Sequence, residues 1–304
     1  MIYTITFNPT LDYAIAIDEL RPYAFQRADD TKMAPGGKGI NTAIILNRLE
    51  IPVTAIGFLG GHTGSVILNG LQKEGVKTKF IPIEGVNRIN IKFYHPQARS
   101  TSVNTPGPFV SEKEIADLFR LLENIENKSY VVISGNITRG MPDDIYRKVM
   151  RYLNRRDVRI IVDAEARFLR LAMEERPFLV KPNATEFEDY FQLSSGQVAR
   201  FKKADYSRYL KEMILDGAQN VALTVGAKGA YLMDSDFNLY HAPAPQVKVV
   251  SDVGAGDSFV AGFLASYIEH EDLKQALEFG VLCGAATATT LFQARKEDIE
   301  KLIK

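Results

Sequence analysis

Val253-Gly254-Ala255-Gly256-Asp257-Ser258-Phe259 follows a strand-like run and opens a helical one. A helix start leaves backbone N–H groups without partners, and the helix macrodipole adds partial positive charge there. Both attract an anion such as a phosphate, and small residues let it approach the backbone closely. Asp257 falls in the first helical turn, beside that anion position. A bound phosphate would repel a carboxylate, so the placement suits a different role, that of taking a proton from a hydroxyl that attacks phosphorus. The plainer reading of the same residues is a tight turn whose Asp complements the helix dipole.

Outward from this segment, short β-branched runs alternate with helical stretches. Strand-like runs fall at 2–7, 53–58, 130–133, 158–162, 178–180 and 221–225. Helical stretches fall at 40–49, 65–73, 112–123, 144–153, 166–173 and 206–215, one of them opening on a Ser111–Glu114 capping box. This alternation predicts an α/β fold, a central mostly parallel sheet flanked by helices on both faces. Toward the end the pattern changes: 230–233, 238–241 and 247–250 read as an antiparallel meander, and helices follow at 256–269 and 273–291. Two segments break the rhythm. Residues 12–33 carry no helix signal, and 86–104 read VNRINIKFYH, a turn, then STSVN. Both read as strands outside the main sheet. Ligands of open α/β sheets bind at the C-terminal strand ends, so strands inserted there form a lid. Unpaired lid edges can pair with a second subunit.

A second glycine-rich stretch, Pro35-Gly36-Gly37-Lys38-Gly39-Ile40-Asn41, precedes the helical run TAIILNRL. Its glycines permit close approach to a ligand, Lys38 supplies charge, and Asn41 both donates and accepts hydrogen bonds. It is not a P-loop, because Lys32 stands where that pattern needs glycine and Gly39 where it needs Ser or Thr. A glycine-rich turn packed on the sheet fits these residues equally well. Asn183-Ala184-Thr185-Glu186 reads as a helix N-cap, or as an Asn/Glu pair that orients water around a phosphate-bound Mg²⁺. Thr224 to Gly229 reads as a hairpin turn or as a floor under a nucleotide. Arg88 and Lys92 alternate on one face of the second lid segment, and Arg27 lies in the first.

The 304 residues carry 37 Lys+Arg against 37 Asp+Glu, a balance that argues against nucleic acid as the main partner. The single cysteine, Cys283, cannot form an internal disulfide and sits in an apolar helical run. MIYTITFNPT alternates like a strand and lacks the basic region of a signal peptide. No apolar run reaches the roughly 18 residues that cross a membrane. A soluble, cytoplasmic protein is therefore expected. The histidines show no metal-ligand spacing, and a Gly-x-Ser-x-Gly elbow is missing.

Together these motifs resemble the ribokinase-like family of sugar kinases. The likeness runs from NPTLD at 8–12 through GGKGIN at 36–41 and NATE at 183–186 to VGAGDSFVAGF at 253–263. It implies a single kinase domain over 1–304, with a small β-sheet lid at about 12–33 and 86–104. Asp257 is then the catalytic base, and the amides of Gly254, Ala255 and Gly256 form the anion hole. Asn183 and Glu186 hold Mg²⁺ through water. Thr224, Gly226 and Gly229 belong to the ATP site. On the sugar side the resemblance implies Asp12, Gly37 and Asn41, with Lys38 and Arg88 on the sugar's own phosphate and Arg27 as a third candidate. The opening NPTLDY, GGKGIN, GFLGGHTG at 57–64 and RINIK at 88–92 look most like the branch that phosphorylates fructose 1-phosphate at O6. A tagatose-6-phosphate kinase is the nearest alternative, and a catalytically silent sugar-phosphate sensor is the alternative outside enzymes. The resemblance also implies ATP and Mg²⁺ as cofactors and a homodimer formed lid on lid. One departure stands out: Asn136 occupies the place of a family serine after the middle strand.

Overall fold

A computed structural model describes residues 1–94 and 101–303, so the turn expected after His95 lies outside the described residues. The strands are β1 (Ile2–Thr6), β2 (Thr10–Ala16), β3 (Asp30–Gly36), β4 (Val53–Leu59), β5 (Lys77–Pro82), β6 (Arg88–Tyr94) and β7 (Thr101–Asn104). After them come β8 (Ser129–Ser134), β9 (Val158–Asp163), β10 (Leu179–Val180), β11 (Val221–Thr224), β12 (Ala230–Met233) and β13 (Leu239–Ala242). The helices are α1 (Lys38–Arg48), α2 (Gly61–Lys73), α3 (Glu112–Leu122), α4 (Ile145–Leu153) and α5 (Ala166–Met173). They continue as α6 (Ala184–Phe191), α7 (Lys203–Leu215), α8 (Ala255–His270), α9 (Leu273–Ala288) and α10 (Lys296–Ile303).

Nine strands form one sheet in the order β13-β12-β11-β10-β9-β8-β1-β4-β5. From β11 to β5 every neighbouring pair is parallel, and β12 and β13 add an antiparallel edge. β1 and β4 are buried at every position because helices cover both faces. In β8, Val131 and Ile133 pack with α3 to α7 on one face, and Val132 packs with α1, α2, α8, α9 and α10 on the other. The capping box expected at α3 is formed, with Ser111 N donating to Glu114 Oε2 at 2.6 Å.

A second sheet, in the order β3-β2-β6-β7, is built from the two segments that broke the βα rhythm. It begins at Thr10 and reaches Gly36, slightly beyond the expected bounds, while 17–29 contains no strand or helix. β2 and β6 run parallel with Asp12 opposite Asn90. The third meander strand expected at 247–250 does not form. Pro243 and Pro245 follow β13 and have no N–H to continue a ladder. The chain there runs irregularly, and Val250 N donates to Ala288 O at the end of α9.

Candidate active site

The C-terminal ends of β1, β8, β9 and β10 meet where the strand order reverses beside β1. Open α/β sheets leave a crevice at such a point. Here it is a cavity of about 1050 Å³, with Asp12, Arg88 and Asn90 of the small sheet on one wall. Gly254, Ala255 and Gly256 lie on another.

Gly254 caps α8 at φ +83, a left-handed conformation that glycine adopts without strain. The first turn of α8 thereby reaches the cavity wall, although Ala255 N already makes a long 3.4 Å bond to Asp252 O. Asp257 is buried, and its Oδ2 accepts from Asn41 Nδ2 at 2.7 Å. Burial pushes this carboxyl up to about 6, aided by the charge of Asp163 and opposed by Lys38, Asn41 and Lys181. A carboxyl poised there is ionised at neutral pH yet accepts a proton readily.

Lys38 opens α1 one turn before Asn41. Its Nζ donates to Asp163 Oδ1 and to Glu186 Oε1, each at 2.8 Å. The same Asp163 oxygen lies 3.2 Å from Lys181 Nζ. Burial alone would raise Asp163, but Lys181 and Lys38 hold it below the usual carboxylate value. Burial likewise pulls Lys38 down, and Asp163, Glu186 and Asp257 more than reverse that. Lys181 lies against the first turn of α8, since a Cβ added at Gly256 would stand 3.3 Å from its Nζ.

Asn183 caps α6 with both arms of a capping box, and Glu186 keeps its second oxygen for Lys38. One motif is thus both a helix cap and an acidic group of the site. Thr224, Gly226 and Gly229 line the cavity at the short turn between β11 and β12. Gly37, between β3 and α1, lines it too.

Asp12 is buried and accepts from Asn90 Nδ2 at 3.0 Å and Lys92 Nζ at 3.1 Å, both on β6. Gly36 leaves room for it: a Cβ there would fall 2.6 Å from the Asp12 carboxyl carbon. Arg88 donates to Asn8 O and to Asn90 Oδ1. Burial lowers the pKa of its guanidinium, and Asp12 opposes the shift. Arg27 is exposed in the connection between β2 and β3 and does not line the cavity. Asn136 donates to Glu165 Oε1 and accepts from Arg167 Nη2, each at 3.0 Å.

Sequence reasoning missed Asp163, Lys181 and Asn90 as parts of the site. Asp163 ends β9 and Lys181 follows β10, so a charged residue closing an apolar strand was the available signal. Among the described residues, no group of three or more His, Cys, Asp or Glu side chains could hold a metal ion. Mg²⁺ that keeps its waters and rides on phosphates needs only one or two carboxylates, so Glu186 with Asn183 fits that mode and not a protein cage.

A family model described as pfkB family carbohydrate kinase matches residues 6–293. The 1-phosphofructokinase of Borreliella burgdorferi is 34% identical over 303 residues, covering 100% of this chain and 96% of its own. The D-tagatose-1-phosphate kinase of Bacillus licheniformis is 32% identical and covers 99% of this chain and 96% of its own. The crystal structure of phosphofructokinase-2 from Escherichia coli superposes with a TM-score of 0.91 at 28% identity, over 99% of this chain and 97% of that one. The tagatose relative is therefore named for the 1-phosphate, where the sequence led us to expect the 6-phosphate. By the extent of these matches, this ribokinase-like chain belongs to the pfkB family of carbohydrate kinases, phosphotransferases that act on a sugar hydroxyl.

Proposed function

We propose that this chain transfers the γ-phosphoryl group of ATP to O6 of fructose 1-phosphate, giving fructose 1,6-bisphosphate and ADP. The observation that carries the reading is one cavity with Asp257 beside the start of α8 and Arg88 on the small sheet. Asp257 takes the O6 proton, and Asn41 holds its carboxylate in place. The first turn of α8 and Lys181 receive the charge of the transferring group. Asn183 and Glu186, through water, hold the Mg²⁺ that neutralises charge on the nucleotide phosphates when bound. Thr224, Gly226 and Gly229 lie under the nucleotide. Asp12, held in place by Lys92 and Asn90, accepts hydrogen bonds from sugar hydroxyls. The small sheet serves as the lid of a single kinase domain.

Arg88 meets the phosphate at C1 of the sugar. Tagatose 1-phosphate differs from fructose 1-phosphate only at C4, so it is the second reading, favoured by the tagatose relative. A silent sensor would have no need of a buried proton acceptor, and Asp257 is intact. The test is kcat/KM for the 1- and 6-phosphates of fructose and tagatose under identical conditions. Fructose 1-phosphate should lead, and a 6-phosphate in front would overturn the substrate assignment. Charge-assisted contacts contribute roughly 1.5–3 kcal/mol, so Arg88→Ala should raise KM for the preferred sugar phosphate about ten-fold or more. Its KM for ATP should hardly move.

The reading extends to assembly and place. Tyr13, Ile15, Ile89, Ile91 and Phe93 alternate with the Asp12 side of the small sheet. Met33 and Val103, at 61% and 50% exposure, continue that apolar outer face. A second copy covering it gives a homodimer joined lid on lid. Light scattering at micromolar concentration should report the dimer, and Ile91→Lys should yield the monomer. A wild-type monomer would contradict the assembly. No helix among the described residues is long and apolar enough to cross a membrane, and we place the reaction in the cytoplasm.

A further inference from the structure

We infer that Lys38 acts at the phosphoryl-transfer centre, where its ammonium binds the transferring phosphoryl group, and that Arg88 alone holds the phosphate the sugar already carries. The inference rests on the kinase reading above and revises the pairing of Lys38 with Arg88 that the sequence implied.

Three observations carry it. First, among the described residues, Lys38 and Arg88 share no hydrogen-bond partner. Lys38 bonds Asp163 and Glu186, whereas Arg88 bonds Asn8 and Asn90. Second, one oxygen of Asp163 touches both Lys38 and Lys181, and Lys181 lies against the first turn of α8. One helical turn beyond Lys38, Asn41 touches Asp257. Lys38 and Asn41 thus stand three residues apart on one helix face, which aims both at the start of α8. Third, an ammonium has three N–H donors. Asp163 and Glu186 take two, and the Lys38 side chain remains 30% exposed at the cavity, against 2% for Lys181. Both lysines line the cavity, and Lys38 is the more open of the two to a ligand, with its third donor not taken by Asp163 or Glu186.

In the transfer itself, the sugar oxygen bonds to phosphorus as the bond from phosphorus to the ADP oxygen breaks. The electron pair of that bond leaves with ADP, and the hydroxyl proton passes to Asp257. Lys38 stays protonated throughout and forms no covalent bond.

Lys38→Met, Lys38→Arg and Arg88→Ala test the assignment. The readouts are kcat, KM for each substrate, and calorimetric affinities for ADP and a non-hydrolysable ATP analogue. Loss of a charge-stabilising donor typically lowers kcat about 10²–10³-fold, which is the result expected for Lys38→Met. Its KM for the sugar phosphate should stay within about a factor of three, because that contact belongs to Arg88. The preference for the ATP analogue over ADP should shrink, because only the analogue carries a γ-phosphate. Lys38→Arg, which keeps the charge and can keep both ion pairs, should recover part of kcat. It carries the same comparison if the Met variant does not fold. A roughly ten-fold rise in KM for the sugar phosphate with kcat held would overturn the assignment and restore Lys38 to the sugar's phosphate. Equal loss of affinity for ADP and the analogue would overturn it as well, since a merely structural role predicts that. If the wild type turns over no sugar phosphate, the kinase reading fails, and the analogue-against-ADP comparison still decides Lys38.

Discussion

Asp257→Asn lowers kcat by about 10²–10⁴ while nucleotide affinity survives, because the amide keeps the shape and loses the proton acceptor. The same variant is more stable than the wild type near neutral pH. The folded protein keeps the Asp257 proton up to about pH 6, whereas an unfolded aspartate releases it near pH 3.8. The folded state therefore binds more protons between those values. The group's contribution to stability is fully present below that window and is lost as pH rises through it. Each pKa unit corresponds to about 1.4 kcal/mol, so the ionised carboxylate costs roughly 1–3 kcal/mol above pH 6. Denaturant unfolding of both proteins at pH 8 and pH 4 checks this, with the advantage of the variant shrinking at pH 4. Wild-type kcat/KM should climb with pH and level off above about pH 6 as Asp257 ionises. A variant that keeps more than half of the wild-type kcat would sink the base assignment.

Asp163→Asn carries the largest expected loss of stability. The Asp163 carboxylate touches both Lys38 and Lys181, and the Lys181 side chain is only 2% exposed. Removing one partner of a buried ion pair leaves an uncompensated charge and costs about 3–5 kcal/mol. Because these lysines hold the folded Asp163 below its ordinary pKa, its contribution is present above about pH 4 and lost as pH falls below it. The gap between wild type and variant should therefore be widest near pH 7 and begin to shrink as pH falls below about 4. A loss under about 1 kcal/mol at pH 7 would mean that the two ammonium groups do not depend on Asp163. The charge of Asp163 also raises Asp257, so the acid limb of the activity profile should move to lower pH in the variant.

Much of this architecture could be read from the chain because its signals are local. The strand at 158–162 and the helix at 166–173 follow from composition within one element, and the structure places them at Val158–Asp163 and Ala166–Met173. Other features depend on distant partners. Lys38 meets Asp163 across 125 residues and Glu186 across 148, so no spacing in the sequence announces that cluster. β5 was missed because it is an edge strand with Lys77 and Lys79, residues that also suit a solvated loop. The run at 247–250 has β-branched residues in the right rhythm, yet the prolines before it deny the ladder its donors. Arg27 had charge and a place in the first lid segment, but no packing draws its connection toward the cavity.

The parallel pairing of β2 with β6 has a consequence for how this family can diversify. On the proposed reading, Asp12 and Arg88 meet the sugar, and both stand on the small sheet. Asp257, Lys181 and Glu186 meet the phosphoryl group and the nucleotide, and all three stand at the C-terminal edge of the large one. Recognition of the acceptor and execution of the transfer are thus inherited on separate scaffolds. A substitution that re-aims Asp12 through Asn90 or Lys92 alters which ketose fits while leaving the transfer apparatus untouched. On that reading, a relative named for fructose 1-phosphate and one named for tagatose 1-phosphate can each match this chain end to end at about a third identity, because a change of ketose needs only the outlying strands to alter.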